Sequence, residues 1–240
     1  MAKTFFLDGK EIPFQDGQTI LDAAMKAGEY VPHLCSSPLL DPHSSCRVCT
    51  VLVNGRPFSS CSQPAVAGQQ VQSNAPEVRQ LRRTIVQMMF TEGNHYCPSC
   101  EKSGNCKLQA TAYYLGLHDN RFNQMFPKRG MDSSHPDVHL DRDRCILCEI
   151  CVRASRALDH KGVFGAVGRG IKHELSVNSP SGTLVDSAIA PTDKAVELCP
   201  TGALQPKNRG FQVPIGERLY DREPINVVGL RQYEECVHGK

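Results

Sequence analysis

Eleven of the twelve cysteines in this 240-residue chain fall into three groups. Cys35, Cys46, Cys49 and Cys61 are spaced C-x10-C-x2-C-x11-C. Cys97, Cys100 and Cys106 are spaced C-x2-C-x5-C, and His95 stands two residues ahead of them. Cys145, Cys148 and Cys151 are spaced C-x2-C-x2-C, and Cys199, followed by Pro200, completes that set far downstream. Thiolates grouped this way hold iron–sulfur clusters, whose chemistry is one-electron transfer.

Each set implies its own chemistry. A 2Fe–2S cluster takes four thiolates, which the first set supplies, although its first gap is longer than the plant-type ferredoxin loop. Structural zinc also accepts four thiolates and remains the alternative there. The second set is one ligand short of a 4Fe–4S site, and His95 is the candidate to fill it. A neutral imidazole in place of a thiolate makes a cluster less negative and raises its potential. The third set is the most specific, because zinc sites use separated pairs and not a triplet. In two-cluster ferredoxins the Cys-Pro ligand serves the other cluster. With only one triplet here, Cys199 is expected to complete its own 4Fe–4S site. Cys236 is left over and reads as a free thiol.

Composition sets bounds on the rest. The formal charge is +2, with no Trp and few aromatics. Eleven ligand thiolates contribute about −11 and three oxidised cores about +6, so the loaded protein sits near −3. That balance argues against nucleic acid as the main partner. The N-terminus has no signal-peptide pattern, and no run reaches the ~20 apolar residues of a membrane span. A cytoplasmic protein with reduced, metal-available thiols is expected. No phosphate-binding loop, nucleophile elbow or dinucleotide fingerprint is present. Gly162, Gly165, Gly168 and Gly170 read as turn and packing glycines. Any flavin or NAD(H) site therefore belongs to a partner.

The elements that must position these ligands are partly legible. Thr4–Leu7 and Lys10–Pro13 flank an Asp8-Gly9 hairpin turn. Residues 16–19 offer capping chemistry for a helix through Ile20, Leu21, Ala24 and Met25, closed near Gly28. Thr50–Val53 and Arg56–Phe58 flank Asn54-Gly55, a type I′ turn signal. Pro76–Glu92 predicts a long helix with Val78, Leu81, Ile85 and Met88 or Met89 on its apolar face, and Arg79, Arg82 and Arg83 elsewhere. A short helix is expected from near Cys106 to Leu115-Gly116, followed by a linker over Pro127–Pro136. The third module is expected to start near His139, with a helix after Cys148, strands near Val163–Val167 and Ile171–Val177, and a helix before Cys199. The expected α+β organisation is a 2Fe–2S domain (1–75), a small helical 4Fe–4S domain (76–130), a 4Fe–4S domain (131–205) and an extended tail (206–240).

The ordered series of sites resembles a known electron-transfer family. It rests on the Cys35/46/49/61 set, on Arg79-Gln80-Leu81-Arg82-Arg83-Thr84-Ile85 ahead of Asn94-His95-Tyr96-Cys97-Pro98-Ser99-Cys100, on Asp141-Arg142-Asp143-Arg144-Cys145-Ile146-Leu147-Cys148, and on Leu198-Cys199-Pro200-Thr201-Gly202-Ala203-Leu204. It is similar to the small diaphorase (gamma) subunits of soluble NAD-reducing nickel–iron hydrogenases. It is also similar to the front of the large iron–sulfur subunit of complex I and of iron-only hydrogenases. Those two usually read H-x3-C in the second set, whereas this chain reads H-x-C and carries neither of their long extensions. The resemblance implies a β-grasp fold for the first domain, a ferredoxin-like fold for the third, and mixed histidine/cysteine ligation in the second. It also implies one 2Fe–2S and two 4Fe–4S clusters, with FMN and NAD only in a partner. The implied partners are a flavin/NAD(H) subunit and the small and large subunits of a nickel–iron hydrogenase, and the implied overall reaction is H2 + NAD+ to NADH + H+. An electron-input subunit of a formate dehydrogenase, iron-only hydrogenase or complex I-like enzyme is the second reading. A zinc-stabilised scaffold is the third.

Overall fold

The computed structural model describes residues 3–238. It has the expected α+β composition and divides into two compact units, 1–87 with 110–119 and 223–240, and 88–109 with 120–222.

In the first unit, β1 (Lys3–Leu7) and β2 (Lys10–Phe14) pair antiparallel around Asp8-Gly9, both with positive φ. Helix α1 (Ile20–Lys26) opens on Thr19 in a reciprocal capping box with Asp22 and closes before Gly28 at φ 78°. β3 (Thr50–Val53) and β4 (Arg56–Ser59) form the second hairpin, with Asn54 and Gly55 at φ 49° and 79°, as a type I′ turn requires. The sequence reading missed β5 (Gln70–Gln72), whose single buried residue, Val71, leaves no alternation to detect. β5 pairs parallel to β1 and antiparallel to β3, which gives the sheet order β2-β1-β5-β3-β4. The core is built from Phe5, Leu7, Ile12, Ile20, Leu21, Met25, Val51 and Val71.

Helix α2 (Pro76–Glu92) has the expected bounds, but its buried face differs from the expected one. Val78, Arg82 and Val86 are buried, whereas Leu81 and Met88 are exposed. An i, i+4, i+8 row is buried with an arginine in its middle, because that guanidinium finds carbonyl partners inside. Helix α3 (Lys107–Tyr114) lies where expected.

In the second unit, β6 (Met131–Asp132) falls within the stretch expected as linker and pairs with β7 (Val138–Asp141). Helix α4 (Ile150–Ala157), the hairpin β8 (Phe164–Val167) and β9 (Glu174–Val177), and α5 (Lys194–Glu197) follow near their expected places. The turn between β8 and β9 needs Gly168: at φ 75°, an added Cβ would lie 2.1 Å from the Lys172 carbonyl oxygen. β10 (Leu204–Pro206) adds to β7 and completes a three-stranded sheet.

Residues 206–240 correct the expectation of an extended tail. They carry α6 (Leu219–Arg222) and α7 (Ile225–His238). The polar composition hid an interior row in α7: Ile225 and Val228 are buried, and Leu230 and Tyr233 pack on the first unit's core. The Tyr233 hydroxyl donates to the Asp22 carbonyl of α1 at 3.2 Å. Among the described residues no helix is long and apolar enough to cross a membrane.

Candidate metal centres

The first set is gathered by the second hairpin and the long loop ahead of it. Cys49 immediately precedes β3, and Cys61 follows β4 by one residue. The register Thr50↔Ser59 therefore brings their ends together. Ser60 reinforces this: its amide and hydroxyl both donate to the Cys49 carbonyl, at 3.2 and 2.8 Å. Ser44 and Arg47 take φ near +60°, which bends the loop back so that Cys35 and Cys46 join the pair. The Cys46 amide donates to Cys35 Sγ at 3.4 Å, and Ser44 Oγ lies 3.6 Å from Cys61 Sγ. All four thiols are buried. Hydrogen bonding from Cys46 and Cys61 pulls the Cys35 thiol far down, while Cys61 brings Cys49 down to about 7. The donors Cys46 and Cys61 are pushed far up. Four buried thiols in mutual hydrogen-bond contact form a compact all-sulfur donor set, and metal binding there would release their protons.

The second set forms where α2 ends. The chain turns at Gly93-Asn94, and a 3-10 turn over Cys97–Ser99 follows. The Gly104 amide donates to Gln109 Oε1 at 2.8 Å, which pins the loop before Cys106 to α3. His95, Cys97, Cys100 and Cys106 line one cavity, with Phe90 and Arg144 in its wall. The His95 ring packs edge-on to Phe90 at 5.3 Å, and its Nε2 is buried with no hydrogen-bond partner. Gly93 makes room for it, since a Cβ there would lie 2.4 Å from that nitrogen. Burial, helped by the Arg144 charge, pushes His95 down to about 4, so the imidazole is neutral and carries a free lone pair. Burial also raises Cys97, and Cys106 to about 12. An orphaned neutral imidazole beside three thiols fits a mixed ligand set.

The third set wraps the start of α4. Leu147 and Glu149 take φ near +55° between the ligand positions, and Cys151 sits in the helix's first turn. Cys199 follows α5. Cys145, Cys148, Cys151 and Cys199 line a second cavity whose remaining wall is mostly apolar, including Leu140, Leu175 and Leu204, with Glu149 and Thr201 as its polar members. The Leu147 amide donates to Cys145 Sγ and the Leu204 amide to Cys199 Sγ, both at 3.4 Å. Burial raises Cys145 to about 11 and Cys151 far further.

The structure thus brings together each set read from the sequence. It also adds residues that spacing could not reveal. Arg144 lies beside Cys145 in sequence yet lines the second set's cavity, held by Glu101 at 2.6 Å and Asp141 at 2.8 Å. Thr201 lines both cavities. The Lys107 amide, next to Cys106, donates to the Pro200 carbonyl, next to Cys199, at 2.9 Å.

Three family models match in chain order. A 2Fe-2S iron-sulfur cluster binding domain spans residues 2–76. The NADH-ubiquinone oxidoreductase-G iron-sulfur binding region spans 82–121, and a 4Fe-4S single cluster domain spans 138–205. Fold and sites together define an iron–sulfur protein with one 2Fe–2S and further 4Fe–4S binding domains.

The chain is 36% identical over 236 residues to the gamma subunit of the NAD-reducing hydrogenase HoxS of Cupriavidus necator, covering 96% of this chain and 98% of that one. It therefore belongs to the family of NAD-reducing hydrogenase gamma subunits. A solved chain from an NAD+-reducing NiFe-hydrogenase in the H2-reduced state superposes with a TM-score of 0.93 at 48% identity, covering 97% and 99% of the two chains. The G subunit of NADH-quinone oxidoreductase from Rickettsia prowazekii is 30% identical over 210 residues, and there the chain spans only 30% of its relative's length.

Proposed function

We propose that this chain is the electron-relay subunit of a cytoplasmic NAD-reducing nickel–iron hydrogenase. In this reading it passes single electrons between a flavin/NAD(H) subunit and the hydrogenase small and large subunits. The observation that carries the reading is the near-complete coverage, at 48% identity, of a chain from an NAD+-reducing NiFe-hydrogenase, joined to three gathered thiol sets. The ligands assigned are Cys35, Cys46, Cys49 and Cys61 for the 2Fe–2S cluster. His95, Cys97, Cys100 and Cys106 are assigned to one 4Fe–4S cluster, and Cys145, Cys148, Cys151 and Cys199 to the other. The modules are taken as 1–75, 76–130 and 131–205.

When bound, the clusters supply reversible one-electron chemistry. The chain's own residues exclude water, hold the ligands in fixed loops and set local charge. Amides of Leu147 and Leu204 donate to ligand sulfur, which disperses negative charge and raises potential. The Lys107–Pro200 hydrogen bond and the shared Thr201 wall keep the second and third sets adjacent. Flavin and NAD belong to the partner in this reading.

The test is anaerobic co-purification from the native host, followed by nickel, iron and sulfide analysis and H2-dependent NAD+ reduction. Nickel and hydrogen-driven NADH formation are expected. Co-purification with a nickel-free dehydrogenase would move the chain to the formate dehydrogenase or complex I-like reading.

A further inference from the structure

Arg82 is the largest fully buried side chain among the described residues, at 2% exposure, in the middle of the inward row of α2. Its Nη1 donates to the Ser73 carbonyl at 2.9 Å, and its Nη2 donates to Ser73 Oγ at 2.9 Å and to the Thr50 carbonyl at 2.8 Å. None of these acceptors is a carboxylate, and Nε has no partner. Thr50 is the residue next to Cys49. Asp8 accepts the Ser73 amide at 2.8 Å from the other side, but it is exposed and water screens it. A buried cation without a direct counter-ion is costly unless an anion completes the site.

We propose that Arg82 is the fixed counter-charge of the first ligand set, positioned through Thr50 behind Cys49 so that it raises the reduction potential of the 2Fe–2S centre. This rests on the reading that Cys35, Cys46, Cys49 and Cys61 hold that cluster. One-electron reduction adds one negative charge to the site and breaks no bond. A cation fixed in a low-dielectric interior stabilises the reduced form more than the oxidised one. The guanidinium keeps its proton at neutral pH: burial lowers it only to about 10, and the Cys49 charge opposes that fall. An arginine serves here where a lysine fits less well, because its planar fork reaches both the Ser73 and Thr50 carbonyls at once.

The experiment is an EPR-monitored redox titration of the full-length, cluster-loaded protein and its Arg82→Met, Arg82→Gln and Arg82→Lys variants. The expected result is a more negative midpoint for the 2Fe–2S signal in both neutral variants, with the 4Fe–4S midpoints unmoved. Arg82→Lys, which keeps the charge but not the hold on both carbonyls, is expected to fall between the parent and the neutral variants. An unchanged midpoint in either neutral variant overturns the proposal. So does a lysine variant displaced as far as the glutamine one, or loss of the cluster in all three, since each assigns the residue to packing alone. A parent protein with no 2Fe–2S signal refutes the underlying ligand reading instead, so the two failures are distinguishable.

Discussion

A buried imidazole nitrogen without a partner costs about 1–3 kcal/mol unless something takes its lone pair. His95 Nε2 is such an atom, and three thiols share its cavity. If it ligates iron, His95→Cys exchanges a neutral donor for an anionic one, and the midpoint of the second cluster falls. An EPR titration that does not move would place the nitrogen off the metal. Gly93 makes a second, steric test. Gly93→Ala puts a methyl against Nε2, far inside van der Waals contact, and also 2.8 Å from the Asp143 carbonyl oxygen, so the imidazole is displaced. The expected outcome is an altered or missing 4Fe–4S signal from this site alone, with the 2Fe–2S spectrum intact. Equal loss of both signals would mean that the substitution acts on folding generally.

At the level of elements, the C-terminal helices change what truncation should do. An extended tail would be dispensable for the clusters. Instead α7 buries Ile225 and Val228 and covers α1, while the Tyr220 amide of α6 donates to the Gly104 carbonyl at 2.9 Å, beside the Cys106 loop. Ile225→Ala is expected to cost about 2–5 kcal/mol, the range for removing a buried aliphatic side chain. Denaturant titration followed by the 2Fe–2S visible absorbance measures it, and an unshifted midpoint would show α7 to be peripheral. Deleting 210–240 should accordingly loosen the first cluster site and disturb the loop at Cys106, in contrast to the clean loss of partner binding expected of a loose tail.

For the whole molecule, three thiol sets in one 240-residue chain lead to the expectation that metal supplies part of the folding energy. About ten irons per chain are expected, two in one cluster and four in each of the others. Stoichiometric zinc with little sulfide would remove the electron-relay function altogether. Stripping the iron anaerobically with a chelator should raise protease sensitivity sharply and be reversed by reconstitution with iron and sulfide. An apo protein as resistant as the loaded one would show that the polypeptide folds without its clusters.

The grouping of the cysteines, both hairpins, the capped helix at Thr19 and the bounds of α2 are legible in the order of residues alone. Each of these depends on neighbours a few residues apart: a ligand triplet, an Asn-Gly turn, a capping box. The remaining features depend on long-range packing. β5 has one buried residue and exists because β1 and β3 leave an open seam between them. Arg82 reads as a solvated charge in its helix, and only the carbonyls of Thr50 and Ser73, distant in sequence, make its burial possible. α7 looks polar until the core it covers is in place. Local chemistry is written in spacing, whereas burial depends on which distant partners arrive.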